Sequence, residues 1–344
     1  QNNQLKEAEE SLERAMLTGI RIGHRSISAQ ASSRLAFLRA AALHELDRIP
    51  IDLPLVEALN ERVRDDVDLY AESLNNIGWM RVLSGERQKG EALLVAADEL
   101  RKKHNREQTP LALGTLGNLG YLALSDGHFE KMEQAFRAIA TRSLDLFGPM
   151  ALNTLEAERS VAWSLLELGR PRAAIEQLQI LRHKADTVKN PILRAQSRYY
   201  LARSEFEEGN FSATREYLTA SLPLVPTEKY EYDHYLHQRM RASAASGDEA
   251  AMLDDYHQAK QRLGTLPDPI DYRRVMLLYH YGLALADLGR PEDAIGPLEQ
   301  ARSRLSTEVI AVEPQVPPRL SLALGHVYRN AGKLEAAQSA LDQA

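Results

Sequence analysis

Two stretches decide how this chain is read. One is Leu168-Gly169-Arg170-Pro171-Arg172-Ala173-Ala174-Ile175. The other, 120 residues later, is Leu288-Gly289-Arg290-Pro291-Glu292-Asp293-Ala294-Ile295. In both, a glycine closes an apolar segment of helical spacing and a proline opens the next one. Glycine just past a helix end and proline in the first turn of the following helix form the asymmetry that stops one helix and starts another. The parallel continues through Leu178 and Arg182 against Leu298 and Arg302.

Working outward, the same glycine recurs as Gly85, Gly127, Gly169, Gly209, Gly247, Gly289 and Gly332, at intervals of 38 to 43 residues. Each interval holds two amphipathic stretches. Residues 116–123 (LGNLGYLA) and 129–139 (FEKMEQAFRAI) flank Gly127 with apolar residues at i, i+3, i+4 and i+7, the helical period. Seven before each capping glycine except Gly247 comes a small residue: Gly78, Gly120, Ala162, Ala202, Gly282 and Gly325. Helices must approach closely there. The unit around Gly247 is the weak one, with Met240 and Ser243 at packing positions. A self-similar period of this size marks a solenoid, in which stacked units share one continuous core.

The repeats resemble tetratricopeptide repeats, and the period of about 42 resembles the kinesin-light-chain-like subgroup. The residues that carry the likeness are Leu116, Leu119-Gly120, Ala123, Gly127, Phe129, Met132, Phe136 and Ile139 in one unit. In the unit before it they are Leu74-Asn75-Asn76-Ile77, Gly78, Gly85, Gly90, Leu94 and Ala97. In the last they are Leu324-Gly325, Tyr328, Gly332, Leu334, Ala337, Leu341 and Ala344. The expected fold is all-α, a right-handed superhelical solenoid of about eight antiparallel helix pairs. Residues 1–344 are expected to form one such domain. Within it, 4–22 reads as an orphan second helix, 27–66 as a degenerate repeat without a capping glycine, and 70–344 as seven clearer repeats. Length alone, 344 residues, suggests two domains of about 150; the repeat replaces that estimate. Opening on a second helix suggests an array that continues, or joins another domain, upstream.

Composition excludes several classes. There is no cysteine, which removes disulfides, thiolate metal sites and cysteine nucleophiles. The net charge of −6 is wrong for a general nucleic-acid binder. No apolar run is long enough to cross a bilayer. Enzyme motifs fail at defined positions. Gly85 and Gly90 have phosphate-loop spacing, but Glu91-Ala92 stands where Lys-Ser/Thr is needed. His44-Glu45 begins a zinc-hydrolase pattern, but Arg48 replaces its second histidine. His234 and His237, beside Asp233, make half a metal site with no third ligand, and read as two histidines on a surface helix. No catalytic set, cofactor or metal is therefore expected.

What remains are residues that packing does not require. The first helix of each unit is expected to line the concave face. Six before the capping glycine that face reads Trp79, Tyr121, Trp163, Arg203, Arg241, Leu283 and His326. Ten before, it reads Asn75, Gly117, Arg159, Tyr199, His237, Tyr279 and Leu322. Nine before, it reads Asn76, Asn118, Ser160, Tyr200, Gln238 and His280. Aromatic and arginine side chains on one surface are typical of binding hot spots. By resemblance to peptide-binding members of the family, Asn75, Asn76 and Asn118 would hold a ligand backbone. Trp79, Tyr121 and Trp163 would supply apolar pockets, and Arg159, Arg203 and Arg241 would meet an acidic group; Tyr199 and Tyr200 are further candidates on the same groove face. The family's chaperone-binding set of Lys and Asn is missing.

The expected role is a non-catalytic scaffold that binds a protein or peptide segment, with self-association through terminal repeats as a further expectation. The alternative is a sensory or regulatory repeat domain of a bacterial receptor-type Ser/Thr kinase or transcription regulator, cytoplasmic or periplasmic. Two irregularities are also expected. Pro314, Pro317 and Pro318 should hold the 305–318 segment extended, and Pro297 should bend a second helix.

Overall fold

The computed structural model describes residues 2–43, 45–227, 229, 231–265, 271–306, 309–310 and 315–343. Among them there is no strand, and seventeen α-helices are delimited: α1 (Asn2–Arg21), α2 (Arg25–Phe37), α3 (Ile49–Asn60), α4 (Val67–Leu83), α5 (Arg87–Lys103), α6 (Pro110–Ser125), α7 (Phe129–Phe147), α8 (Leu152–Glu167), α9 (Pro171–Val188), α10 (Pro191–Glu207), α11 (Phe211–Ser221), α12 (Glu231–Ala245), α13 (Glu249–Thr265), α14 (Asp271–Asp287), α15 (Pro291–Ser303), α16 (Val316–Asn330) and α17 (Leu334–Leu341). They make two compact units, Gln1–Ala157 and Glu158–Ala344. Within each, consecutive helices pair and the pairs stack, as the solenoid reading expects.

The turn chemistry explains the pairing. All seven repeat glycines have positive φ, from 66° to 86°. Each closes its helix in the same way. The N–H of the residue after the glycine returns to the carbonyl five residues back, as in Glu86 to Arg81 at 2.8 Å and Arg170 to Leu165 at 2.8 Å. This is the Schellman closure, which satisfies orphan carbonyls and reverses the chain. Gly23 and Gly148, outside the repeat register, also take positive φ. Gly23 ends α1, which packs against α2.

The second helix of each pair carries the core. Five and nine residues after the capping glycines lie Met132, Ala174, Leu178, Thr214, Leu218, Met252, Ala294 and Leu298, all with no exposed surface. The small residues opposite are sterically required. A Cβ on Gly78 would stand 2.9 Å from the Gly90 carbonyl oxygen, and one on Gly282 would stand 2.5 Å from Leu298 Cγ.

One expectation about an irregular segment changes. Pro317 and Pro318 do not hold an extended loop; they lie in the first turn of α16. Backbone N–H groups there have no intrahelical acceptor, so proline costs nothing and its fixed φ suits the helix. Pro314 and His44 lie outside the described residues. Pro297 sits inside α15, which runs on to Ser303. The 27–66 segment is two helices joined by a π turn (Leu38–Ala42) and a short 3-10 turn (Leu46–Arg48). Arg39, 5% exposed, anchors the π turn to Glu9 of α1 at 2.8 Å and faces Glu13 and Asp52.

Candidate functional site

In the first unit the candidate residues sit on α4 and α6. Three asparagines form a hydrogen-bonded chain. Asn118 Nδ2 donates to Asn75 Oδ1 at 3.0 Å, Asn75 Nδ2 to Asn76 Oδ1 at 3.0 Å, and Asn76 Nδ2 to Ser33 Oγ of α2 at 2.9 Å. The chain runs across three successive first helices. Asn76 is buried at 6% exposure, so its amide serves the inter-repeat contact. Asn75 and Asn118 are half-buried. A primary amide has two N–H donors and two acceptor sites, and the chain engages one donor of each. Trp79, one turn beyond Asn75, is half-buried, and its indole N–H has no hydrogen-bond partner among the described residues. Tyr121 is 45% exposed and meets Phe136 edge-on at 5.8 Å.

In the second unit the candidates converge. Arg159, Trp163 and Glu167 follow at spacing four on α8 and so share one face. Tyr199, Tyr200 and Arg203 lie on α10. The guanidinium carbons of Arg159 and Arg203 stand 5.5 Å and 5.8 Å from the Tyr200 ring centre. Both distances are within reach for cation–π attraction. Trp163 lies 6.4 Å from the same ring, and Tyr199 packs edge-on to it at 5.4 Å. Glu167, whose side chain is 11% exposed, gathers three donors: Trp163 Nε1 at 2.9 Å, Arg203 Nη2 at 3.2 Å and Arg319 Nη2 of α16 at 3.4 Å. Arg241 is held apart, over Phe206 at 4.7 Å and paired with Asp287 at 2.8 Å.

A register runs through both units. The residue ten before one capping glycine meets the residue nine before the next: Asn75 with Asn118, Arg159 with Tyr200 (3.4 Å), His237 with His280. The histidine pair is the part that sequence reasoning placed wrongly. His237 is not on a surface face; it is 3% exposed and stacked on His280 with centroids 4.9 Å apart. A first helix inside the stack has neighbours on both sides, so few of its faces meet solvent. Burial, with His234 and Arg262 nearby, pushes the His237 imidazole down to about 3. Burial, with Arg203 and Arg273, brings His234 to about 4. Burial first, then His237 and Arg241, holds His280 well below its ordinary range. Burial likewise raises the Tyr199 hydroxyl to about 12, against the opposing pull of Arg203. Among the described residues no group of three or more His, Asp or Glu side chains has metal-binding geometry. No helix among them is long and apolar enough to cross a membrane.

Sequence reasoning missed Glu167, Arg319, Asp287 and Ser33. Glu167 was within reach, because it lies one turn past Trp163 on the same helical face. Arg319 had no local signal.

This architecture defines a class: an all-α helical-repeat solenoid with a polar and aromatic first-helix face. Within that class the tetratricopeptide-repeat likeness is borne out. Residues 318–344 match the tetratricopeptide repeat family model. Solved structures of similar fold include a Rap protein complexed with competence and sporulation factor (TM-score 0.63, 9% identity, 99% of this chain and 96% of that one). They also include the apo quorum sensor NprR from B. thuringiensis (0.60, 12%, 99% and 97%) and a tetratricopeptide repeat protein from Parabacteroides merdae (0.55, 14%, 89% and 97%). No curated protein matches this chain in sequence.

Proposed function

We propose that this chain is a non-catalytic interaction module that takes an extended peptide or protein segment against its first-helix face. One observation carries the reading: Arg159, Trp163, Tyr200 and Arg203 cluster half-buried on that face, and Arg159 has no carboxylate partner among the described residues. Core packing does not call for an arginine–aromatic floor that stays open to solvent, whereas binding hot spots use both residue types. In the first unit, Trp79 with the outer amide valences of Asn75 and Asn118 offers apolar and backbone-directed contact. The likeness to a quorum sensor, and to a Rap protein in complex with a factor, supports a ligand-receiving, regulatory use of the fold.

Both tryptophans of the chain, Trp79 and Trp163, lie at candidate positions. Tryptophan emission, excited selectively over tyrosine, therefore reports on these two positions. Peptides selected by the chain from a displayed random library should shift its emission. Joint Trp79→Ala and Trp163→Ala replacement should weaken their binding more than tenfold with helicity unchanged. Unchanged affinity in the double variant would refute the assignment.

A further inference from the structure

The second unit holds an unbalanced set of charges. Among the described residues Arg203 and Arg319 share one carboxylate, Glu167, and Arg159, which meets Tyr200 and Ser160, has none. Neighbouring Arg241 is already balanced by Asp287. Two guanidinium charges are thus uncompensated at one place, in a chain whose net charge is −6. Glu167 also shows what fits. One of its oxygens accepts from Trp163 and Arg203 and the other from Arg319, so the donors are spaced for a single planar carboxylate. Its 3.2 Å and 3.4 Å contacts to the arginines are long for charge-assisted bonds, which run about 2.7–2.9 Å. Nδ1 of His280, within electrostatic reach of Arg319, has no hydrogen-bond partner.

We propose that Glu167 is an internal stand-in for a ligand carboxylate: an incoming peptide carboxylate displaces it from Arg203 and Arg319 and is also bound by Arg159. This deepens the peptide-binding reading and rests on it. No covalent bond is made or broken; one carboxylate exchanges for another, and Glu167 swings toward solvent. The carboxylate comes either from an Asp or Glu side chain or from a peptide C-terminus. The chemistry of capture is the same for both.

The test uses the whole chain and synthetic random dodecapeptides in four arms. Asp and Glu are included in or excluded from the randomised positions, each with a free or an amidated C-terminus. Bound peptides are recovered and quantified by mass spectrometry. At least tenfold higher recovery is expected from carboxylate-bearing arms than from the arm with none. The better of the two single-source arms identifies the source. Arg159→Gln, which breaks no ion pair, should cut that preference about tenfold, while Glu167→Gln should raise affinity for the same peptides several-fold. Circular dichroism checks that both variants fold. Equal recovery from all four arms overturns the carboxylate assignment and leaves the peptide-binding reading standing. Recovery from none overturns both. Weaker binding by a folded Glu167→Gln variant overturns the stand-in role.

Discussion

Replacing Gly78 by alanine tests whether close helix approach, rather than helix propensity, selects the small residues of the repeat. Both α4 and α5 pass through this point. The new Cβ would lie 2.9 Å from the Gly90 carbonyl oxygen, 3.1 Å from Leu94 Cγ and 3.2 Å from Leu93 Cβ. The nearest atom is backbone in a buried helix pair, and Leu94 has no exposed surface, so neither moves cheaply. Overpacking of this kind costs about 1–3 kcal/mol. Alanine gains back up to about 1 kcal/mol of helix propensity. The expected net loss is about 1–2 kcal/mol. Gly114 in the exposed part of α6 is the control. It lies in the same unit, also inside a helix, and its Cβ would meet nothing within 4 Å. There the same substitution should stabilise by up to about 1 kcal/mol. Urea unfolding followed by far-ultraviolet circular dichroism should therefore move the midpoint in opposite directions for the two variants. A Gly78→Ala protein as stable as Gly114→Ala would refute the close-approach account.

Acidification should destabilise the fold through the buried histidines. In the unfolded chain they take up protons near pH 6.5. In the folded chain His234 and His237 resist to about 4 and about 3. Stability is therefore intact above pH 6.5 and falls as pH drops toward 3, by up to about 1.4 kcal/mol per histidine for each pH unit. Urea midpoints measured from pH 7 to pH 5 should show this fall, and His237→Phe should make it shallower, His234 and His280 supplying the rest. Arg101→Ala should be among the most destabilising changes in the first unit. The side chain is 1% exposed, donates to Thr115 Oγ1 at 2.6 Å and lies among Asp68, Glu72 and Asp98. Removing it breaks the bond to Thr115 and leaves a cavity in the packed helices, at a cost of about 2–5 kcal/mol, readable as a large drop in the urea midpoint.

The repeat was legible because its signals are local. A glycine in the left-handed region, a proline in a first turn and apolar spacing within a helix each depend on a few neighbouring residues. Leu178 and Leu298 could be paired on spacing alone, and both are fully buried. The first-helix face was harder to read. Its positions were identifiable, but side-chain direction there depends on the crossing of successive first helices, which no short window encodes. Asn76 thus turns inward to Ser33, and His237 stacks on a ring one repeat away. The π turn after α2 was invisible for a related reason, because it is held by Arg39 reaching carboxylates on α1 and α3.

The contact between Arg319 and Glu167 joins residues 152 apart in the chain. Nearly every other contact in a stacked-repeat fold links neighbours, which lets such folds nucleate locally and grow along the chain. Closing a loop of this length costs about 1.2 kcal/mol more than closing one a repeat long. Arg319 is about half exposed, so the pair adds little stability of its own. Its value is diagnostic. It depends on the stacking of every helix pair from α8 to α16, so its loss should report fraying of any pair between.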